Sequence, residues 1–146
     1  MAKTRTFLDA DVLINAFRGI GPVAVTAQAI IDDPDREFVA SDILRLELLP
    51  KPHFFGRTTE ERFYEDFFAA AVECAESSAA LVQAAEMEAK TCGLAAADAL
   101  HITAAKELSA QEFITAEKPT SALFRVTGPD GNLAAPLSAH FPTESP

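Results

Sequence analysis

The sequence has no tryptophan, one tyrosine and only two cysteines among its 146 residues. Cys74 and Cys92 do not have the spacing of metal ligands and lie within apolar segments. We therefore expect two buried, reduced thiols, with a single disulfide as the open alternative. No apolar run approaches the length of a membrane span, and we expect no N-terminal targeting segment. These absences predict a cytoplasmic protein that has no contact with a membrane.

Basic residues are also scarce, with 12 lysines and arginines against 22 aspartates and glutamates and a net charge of −10. This balance argues against a protein that binds nucleic acids by broad neutralisation of phosphates, so any such role requires a local basic patch or bound cations. Hydrophobic residues make up 49% of the chain, which is typical of a folded protein. The length fits one domain with its own core.

Short apolar segments alternate with amphipathic segments along most of the chain. We predict strands that close at Leu8 and run over 37–40, 71–74 and 112–115. We predict helices over 23–31, 42–49 and 59–70, from Ser77 or Ser78 to Cys92, and over 95–108. This alternation predicts an α/β protein, a three-layer α/β/α sandwich with a central, mostly parallel sheet of four to five strands.

Local signals also predict where several elements begin and end. Asp11 precedes the apolar positions of the first helix, so we predict that it caps that helix. Pro50 and Pro52 are expected to end the helix after the second strand, with a loop over 53–58. Residues 128–146 are rich in proline, alanine and serine without a period. We therefore predict a domain over 1–127 followed by an irregular tail or a surface-packed arm over 128–146.

Four acidic residues lie at corresponding places in this pattern of strands and helices. They are Asp9 at the end of the first strand, Glu47 in the helix after the second, Asp98 in the first turn of a helix, and Glu117 after the fourth strand. All four are expected at one edge of a parallel sheet, where ligands and catalytic groups collect. Carboxylates that meet there repel one another unless a divalent cation neutralises them, and oxygen ligands suit Mg²⁺ or Mn²⁺. Such a site can activate water and hold a phosphodiester.

The four acids lie in short segments that read LDADVLI at 8–14, SDILRLE at 41–47, DALHITAA at 98–105 and ITAE at 114–117. These segments resemble those of PIN-domain nucleases, the family of VapC-like toxins and many RNA-processing enzymes. The resemblance runs from about residue 4 to residue 126. Each segment alone is common, but four in this order with the right intervening elements are fairly specific.

The resemblance implies a role for each of these residues. The implied metal ligands are Asp9, Glu47 and Asp98. The implied catalytic set is these three acids together with Glu117. Asp11 and Thr115 are implied to hydrogen-bond around the ligands. Glu117 stands where the family usually has aspartate, so it either binds a metal through a water or leaves a second metal position weak.

The resemblance further implies an endonuclease that cleaves single-stranded RNA with Mg²⁺ or Mn²⁺, forms homodimers and is blocked by a small antitoxin. A basic segment suits such a substrate by charge and stacking: it contains Lys51, His53 and Arg57, with Phe54 and Phe55 between them. Packing of these phenylalanines in the core or in a dimer is an equally good explanation.

Two other functions stay open at this point. Residues 7–12 also resemble the nucleophile motif of haloacid-dehalogenase-like phosphatases, in which Asp9 would be phosphorylated and Asp11 would be the general acid/base. The sequence has no later strand that ends in the paired aspartates of that family. The second alternative is a catalytically weak PIN domain that binds RNA or protein without cutting, which Glu117 and the acidic composition favour. His101 is expected to be a packed core residue without a catalytic role.

Overall fold

The computed structural model describes residues 2–142. The strands are Thr4–Leu8 (β1), Arg36–Ser41 (β2), Glu73–Ala75 (β3), Glu112–Thr115 (β4), Thr127–Gly128 (β5), Gly131–Asn132 (β6) and Ala134–Pro136 (β7). The α-helices are Ala10–Arg18 (α1), Pro22–Ile31 (α2), Asp42–Leu48 (α3), Pro50–Phe54 (α4), Thr58–Ala70 (α5), Ala79–Cys92 (α6) and Ala96–Glu107 (α7). Short 3-10 helices follow at Ala122–Arg125 and Leu137–His140.

Five strands form one parallel sheet in the order β3-β2-β1-β4-β7, and β5 pairs with β6 in a separate antiparallel hairpin. Helices flank the five-stranded sheet, which confirms the predicted α/β/α sandwich. In the central strand, Phe7 pairs with Val39 of β2 and Leu8 pairs with Ile114 of β4. The carboxyl ends of β1, β2 and β4 therefore meet at one edge, as the sequence predicted.

The central strand β1 and its neighbour β4 carry a large part of the core. Phe7 and Leu8 of β1 and Phe113 and Ile114 of β4 are completely buried. Neighbouring residues of a strand point to opposite faces, so complete burial of both members of each pair requires cover on both faces of the sheet. Burial of each such side chain stabilises the fold by about 1.5–3 kcal/mol. No single helix within residues 2–142 is long and apolar enough to cross a membrane. Helices α1 and α2 reach the required length and apolarity only when taken together, and their axes meet at a bend of 113°.

The first helix begins two residues earlier than predicted. Asp9, not Asp11, is the N-cap of α1, and the Asp9 carboxylate accepts a hydrogen bond from the Ala10 amide. Asp11 lies in the first helical turn, where its charge is still favourable to the helix dipole. The prediction that Asp11 caps the helix is therefore wrong, because the chain turns into the helix directly at the end of β1.

The predicted loop over 53–58 is also corrected. Pro50 and Pro52 do not lead into a loop, because Pro50–Phe54 forms α4 and Thr58 already begins α5. Proline lacks an amide hydrogen but is tolerated in the first turn of a helix, where that hydrogen has no helical partner. The two prolines therefore end α3 and start a new short helix.

The segment after residue 127 is not irregular throughout. Residues 134–136 form β7, the edge strand of the central sheet, in which Ala134 pairs with Phe113 and Pro136 with Thr115. Leu133 and Leu137 on either side of β7 are buried in the core. The interpretation of these residues as an irregular tail or surface arm is wrong, because apolar side chains at both ends of β7 anchor it. Residues 143–146 lie outside the described part of the chain.

The two cysteines have different surroundings. Both thiols are free, so the disulfide alternative is excluded. Cys92 is buried as predicted, but Cys74 is exposed. The reason is that Cys74 lies in β3, which forms an edge of the sheet.

Candidate active site

Asp9 is positioned by the pairing of β1 with β4. Its backbone amide donates a hydrogen bond to the carbonyl of Ile114 at 2.9 Å, which extends the parallel ladder by one residue. Its side chain is 6% exposed and accepts two hydrogen bonds, from the amide of Ala10 at 2.9 Å and from the hydroxyl of Thr115 at 3.0 Å. The first acid is therefore held rigidly at the carboxyl edge of the sheet.

Thr115 connects Asp9 to Asp11. The buried Thr115 hydroxyl lies 3.0 Å from Asp9 Oδ2 and 3.3 Å from Asp11 Oδ2, and it accepts a hydrogen bond from the amide of Glu117 at 3.2 Å. The amide of Ala116 donates to Asp11 Oδ1 at 3.1 Å. A hydroxyl carries only one hydrogen, so both carboxyl contacts are hydrogen bonds only when one of the two acids is protonated.

Glu47 is held by a histidine from another helix. His101 Nε2 of α7 lies 2.8 Å from Glu47 Oε1 of α3, and the histidine side chain is 1% exposed against 33% for the glutamate. His101 Nδ1 is buried and has no hydrogen-bond partner in residues 2–142. The Nε2–H group of His101 is therefore the donor to Glu47, because a carboxylate oxygen accepts hydrogen bonds and does not donate them. The expected burial of His101 is confirmed, but its role toward Glu47 was missed.

The pKa values show that the acids act on one another. Burial, and next the charge of Asp11, raise the pKa of Asp9 to about 7. Burial raises the pKa of Asp11, and the charge of Glu117 adds to that increase. Burial also raises the pKa of Asp98, with further increases from Glu117 and then Glu47. The five carboxyl groups therefore form one electrostatically connected cluster at the sheet edge.

Little positive charge offsets this cluster. His101 opposes, but does not cancel, the rise that burial causes in the pKa values of Asp9 and Asp98. Within the described residues, no lysine or arginine forms an ion pair with Asp9, Asp11, Asp98 or Glu117. Acidic groups that are crowded, partly buried and unpaired are typical of functional sites rather than of structural ion pairs.

The donor set of the cluster suits a hard divalent cation, because all of its ligand atoms are carboxylate oxygens. The side chains are not arranged as a finished coordination shell, since no three His, Cys, Asp or Glu residues between 2 and 142 form a group that could hold a metal. Mutual repulsion favours such separation of like charges. The carboxyl groups of the cluster fit a Mg²⁺ or Mn²⁺ ion by residue type and charge. To bind such an ion, their side chains have to move closer together.

The predicted basic patch lies at the junction of α4 and α5. His53 is bonded to Glu61 at 2.9 Å, and the Arg57 guanidinium lies 5.1 Å from the centre of the Phe55 ring. Phe54 and Phe55 are 80% and 59% exposed, so core packing does not explain them. No hydrogen bond or ion pair in residues 2–142 joins Lys51, His53 or Arg57 to the acidic cluster. In the described residues this patch therefore makes no direct polar contact with the acids.

A further feature beside the cluster was not visible in the sequence. A cavity of about 300 Å³ lies next to Glu117 and has Asn15 and Phe141 among its walls. The Asn15 side chain donates a hydrogen bond to the carbonyl of Asp11 at 2.8 Å. Its position four residues after Asp11 was a usable signal, since residues at this spacing share one face of a helix. Phe141 had no such signal, because only the tertiary fold brings it there.

Comparisons with known proteins agree with this architecture. The crystal structure of VapBC2 from Rickettsia felis bound to a DNA fragment from their promoter contains a similar chain, with a TM-score of 0.64, 14% identity and coverage of 91% of this chain and 98% of that one. A chain of a toxin-antitoxin complex from Klebsiella pneumoniae has a TM-score of 0.62, 16% identity and coverage of 78% and 88%. At these identities the likeness concerns the fold.

A search of curated proteins found no match. The family model of the PIN domain matches residues 6–119, which include all four predicted acids. The chain therefore belongs to the PIN-domain family.

Proposed function

We propose that the protein is a metal-dependent endoribonuclease that cleaves single-stranded RNA in the cytoplasm. The observation that carries the proposal is the acidic cluster, in which several carboxyl groups raise one another's pKa and none is paired with lysine or arginine. Such a cluster attracts a divalent cation, and a cation also explains how a chain with a net charge of −10 can approach a phosphodiester.

In this proposal three residues hold Mg²⁺ or Mn²⁺: Asp9, Glu47 and Asp98. Glu117 assists them, either directly or through a water. When bound, the cation supplies Lewis acidity toward a phosphate oxygen and activates water. Thr115 and the amide of Ala10 orient the Asp9 carboxylate, and His101 orients that of Glu47. Asp11 is fixed to the end of β4 by the amide of Ala116.

We further propose that the protein is the toxin of a type II toxin-antitoxin pair and that it forms a homodimer. The similar structures from Rickettsia felis and Klebsiella pneumoniae are complexes of a toxin with its antitoxin, which supports a small antitoxin as partner. The basic patch of Lys51, His53 and Arg57 is proposed to contact the RNA, and its exposed phenylalanines are available for stacking on bases.

A second candidate is a PIN domain that binds RNA or protein without cutting. The separated carboxylates favour it, because no group of three can hold a metal as the side chains stand. Glu117 also favours it, since the family usually has aspartate there. The haloacid-dehalogenase-like phosphatase is no longer a candidate, because the family model that matches residues 6–119 is that of the PIN domain.

The test is cleavage of single-stranded RNA and DNA oligonucleotides with Mn²⁺, Mg²⁺ or chelator by the wild type, Asp98→Asn and Asp66→Asn. Asp66 is an exposed carboxylate of α5 and serves as the matched control. A metal ligand contributes several kcal/mol to charge stabilisation, so Asp98→Asn is expected to lower RNA cleavage by about 100-fold or more.

The control Asp66→Asn should cut like the wild type. If the wild type binds Mn²⁺ and RNA but leaves the RNA intact, the nuclease proposal is wrong and the second candidate, a PIN domain that binds without cutting, is favoured. Equal cleavage by Asp98→Asn and the wild type would remove the acidic cluster from the mechanism.

A further inference from the structure

We propose that the cavity beside Glu117 is a nucleobase-binding subsite for the nucleotide next to the scissile phosphate. This inference rests on the proposed nuclease function and adds a determinant of its sequence specificity. The cavity has a volume of about 300 Å³, which lies at the lower end of the range of ligand sites. Its size suits one base rather than a folded partner.

The cavity shares its wall with the acidic cluster. Glu117 lines the cavity, and the neighbouring Ala116 both lines it and donates its amide hydrogen to the Asp11 carboxylate. Asn15 also lines the cavity, and its side chain donates a hydrogen bond to the backbone carbonyl of Asp11. In this proposal the cavity lies directly beside a phosphate held at the carboxylates.

The walls of the cavity combine the two kinds of group that recognise a base. Phe141 is a half-buried aromatic ring, and the partly buried Val23 provides further apolar surface. The amide oxygen of Asn15 and the hydroxyl of Ser138 have no hydrogen-bond partner in residues 2–142, so they are available to the edge of a base. Bases stack on aromatic rings, and hydrogen bonds to their edges add selectivity.

One wall of the cavity comes from a part of the chain outside the matched PIN domain. Its residues lie between Pro136, which ends β7, and Phe141, whereas the family match ends at residue 119. Pairing of Pro136 with Thr115 fixes the start of this segment to the strand that precedes Glu117. The amide of Phe141 donates to the carbonyl of Ser138 at 3.1 Å, which closes the turn that presents the ring. The C-terminal segment thus supplies an aromatic wall to a site whose acids belong to the common domain.

The first test uses the absence of tryptophan from the chain. Phe141→Trp places a single fluorescent reporter in the cavity, and Met87→Trp places one on the exposed face of α6 as the matched control. The four ribonucleoside 5′-monophosphates are titrated with Mg²⁺ present, because without a cation the carboxylates would repel the phosphate, and ribose 5-phosphate serves as the probe without a base. We expect saturable quenching of Phe141→Trp by at least one nucleotide, little by ribose 5-phosphate and none in Met87→Trp.

Equal quenching of Phe141→Trp by ribose 5-phosphate would overturn the inference, because the cavity would then bind the phosphate and not the base. Absence of quenching by all four nucleotides would also overturn it. If nucleotides quench the fluorescence but the protein cuts no RNA, the base-binding subsite is supported and the nuclease function is refuted. The two proposals can therefore be distinguished.

The second test compares the bases around the cut in a random-sequence RNA for the wild type, Phe141→Leu and Phe141→Ala. Phe141→Leu keeps an apolar wall but removes the aromatic ring, so its loss of stability is small. Stacking contributes about 1–3 kcal/mol per base, so kcat/KM for the preferred base should fall about tenfold in both variants while Mn²⁺ affinity is unchanged. An unchanged base preference in Phe141→Leu would refute the subsite and leave the nuclease standing.

Discussion

Two buried carboxyl groups, those of Asp9 and Glu60, show how surroundings decide a residue's role. Glu60 is 4% exposed, yet Arg18 and the hydroxyl of Tyr64 bind its carboxylate at 2.8 to 3.0 Å. Burial raises the pKa of Glu60, but these hydrogen bonds outweigh it and hold the pKa below its usual range. Asp9 is similarly buried but has no arginine, and its pKa rises instead. Glu60 therefore links α1 to α5, while Asp9 is suited to bind a cation.

The raised pKa of Asp9 predicts how the stability of the metal-free protein depends on pH. Folded Asp9 keeps its proton up to about pH 7, whereas the unfolded chain releases it near pH 3.8, so the folded state binds more protons between these values. The free energy of unfolding should therefore fall as the pH rises through this window, by at most about 1.4 kcal/mol per pH unit for one group. Urea unfolding with chelator at several pH values measures the slope.

Asp9→Asn removes this titration and should flatten the slope. Asp11 and Asp98 also have raised pKa values, so part of the slope should remain. The exposed Asp66→Asn is the control and should leave the slope unchanged. A free energy of unfolding that rises from pH 5 to pH 7 would contradict the surroundings assigned to Asp9.

The contact between His101 and Glu47 predicts a change in metal affinity. His101→Leu removes the donor from Glu47 Oε1, so the carboxylate should be less well oriented and bind Mn²⁺ about 10–100-fold more weakly. His101→Gln retains an N–H donor and should recover part of the affinity. Calorimetric titration of Mn²⁺ without RNA makes the measurement, with His53→Leu as the control because His53 contacts Glu61 on the surface. Wild-type Mn²⁺ affinity in His101→Leu would show that the histidine is only a packing residue.

At the scale of elements, the junction between β2 and α3 determines where Glu47 lies. The Ser41 hydroxyl accepts a hydrogen bond from the amide of Leu44 at 3.1 Å, and it caps α3 directly at the end of β2. Ser78 makes the corresponding bond to Leu81 at 3.0 Å at the start of α6, a helix that carries none of the four acids. Both serines make the same capping hydrogen bond, but only the helix capped by Ser41 carries an acid of the cluster. Ser78 is therefore the matched control for Ser41.

Ser41→Ala and Ser78→Ala should each lower the free energy of unfolding by about 1 kcal/mol, because each removes one capping hydrogen bond. Only Ser41→Ala should also weaken Mn²⁺ binding, since it loosens the helix that presents Glu47. Urea unfolding and calorimetry measure the two effects. If Ser78→Ala lowers Mn²⁺ affinity as much as Ser41→Ala does, the effect is general destabilisation and not the position of α3.

The elements differ in how well local signals predict them. The starts of α3 and α6 were correctly predicted, at residue 42 and after Ser77 or Ser78, because a serine hydroxyl satisfies the first backbone amides of a helix. Helix α4 was missed because two prolines within three residues usually interrupt a helix. Strand β7 was missed because its three residues have no pattern of their own, and only pairing with β4 makes them a strand.

At the scale of the whole molecule, the C-terminal segment is part of the fold. Leu133 and Leu137 on either side of β7 are 3% and 2% exposed, and they pack in the same core as β1 and β4. A surface arm buries little, whereas an edge strand anchored at both ends contributes to global stability. The free energy of unfolding can therefore distinguish the two interpretations.

Leu137→Ala should lower the free energy of unfolding by about 2–5 kcal/mol, because it leaves a cavity in the core. Leu46→Ala is the control at a side chain that is 67% exposed, and it should change stability by less than about 0.5 kcal/mol. Urea unfolding followed by circular dichroism gives both values. If Leu137→Ala proves as mild as Leu46→Ala, Leu137 does not contribute to the core as its burial indicates.

The sequence by itself determined the α/β class, the ends of most helices and the position of each acid after a strand or in a helix. These features depend on neighbours a few residues apart, so side-chain periodicity and capping groups are enough to predict them. Only the tertiary structure decided that His101 meets Glu47 and that Phe141 lines the cavity beside Glu117. These partners are far apart in the chain, and their contact depends on strand order and register, which local patterns do not encode.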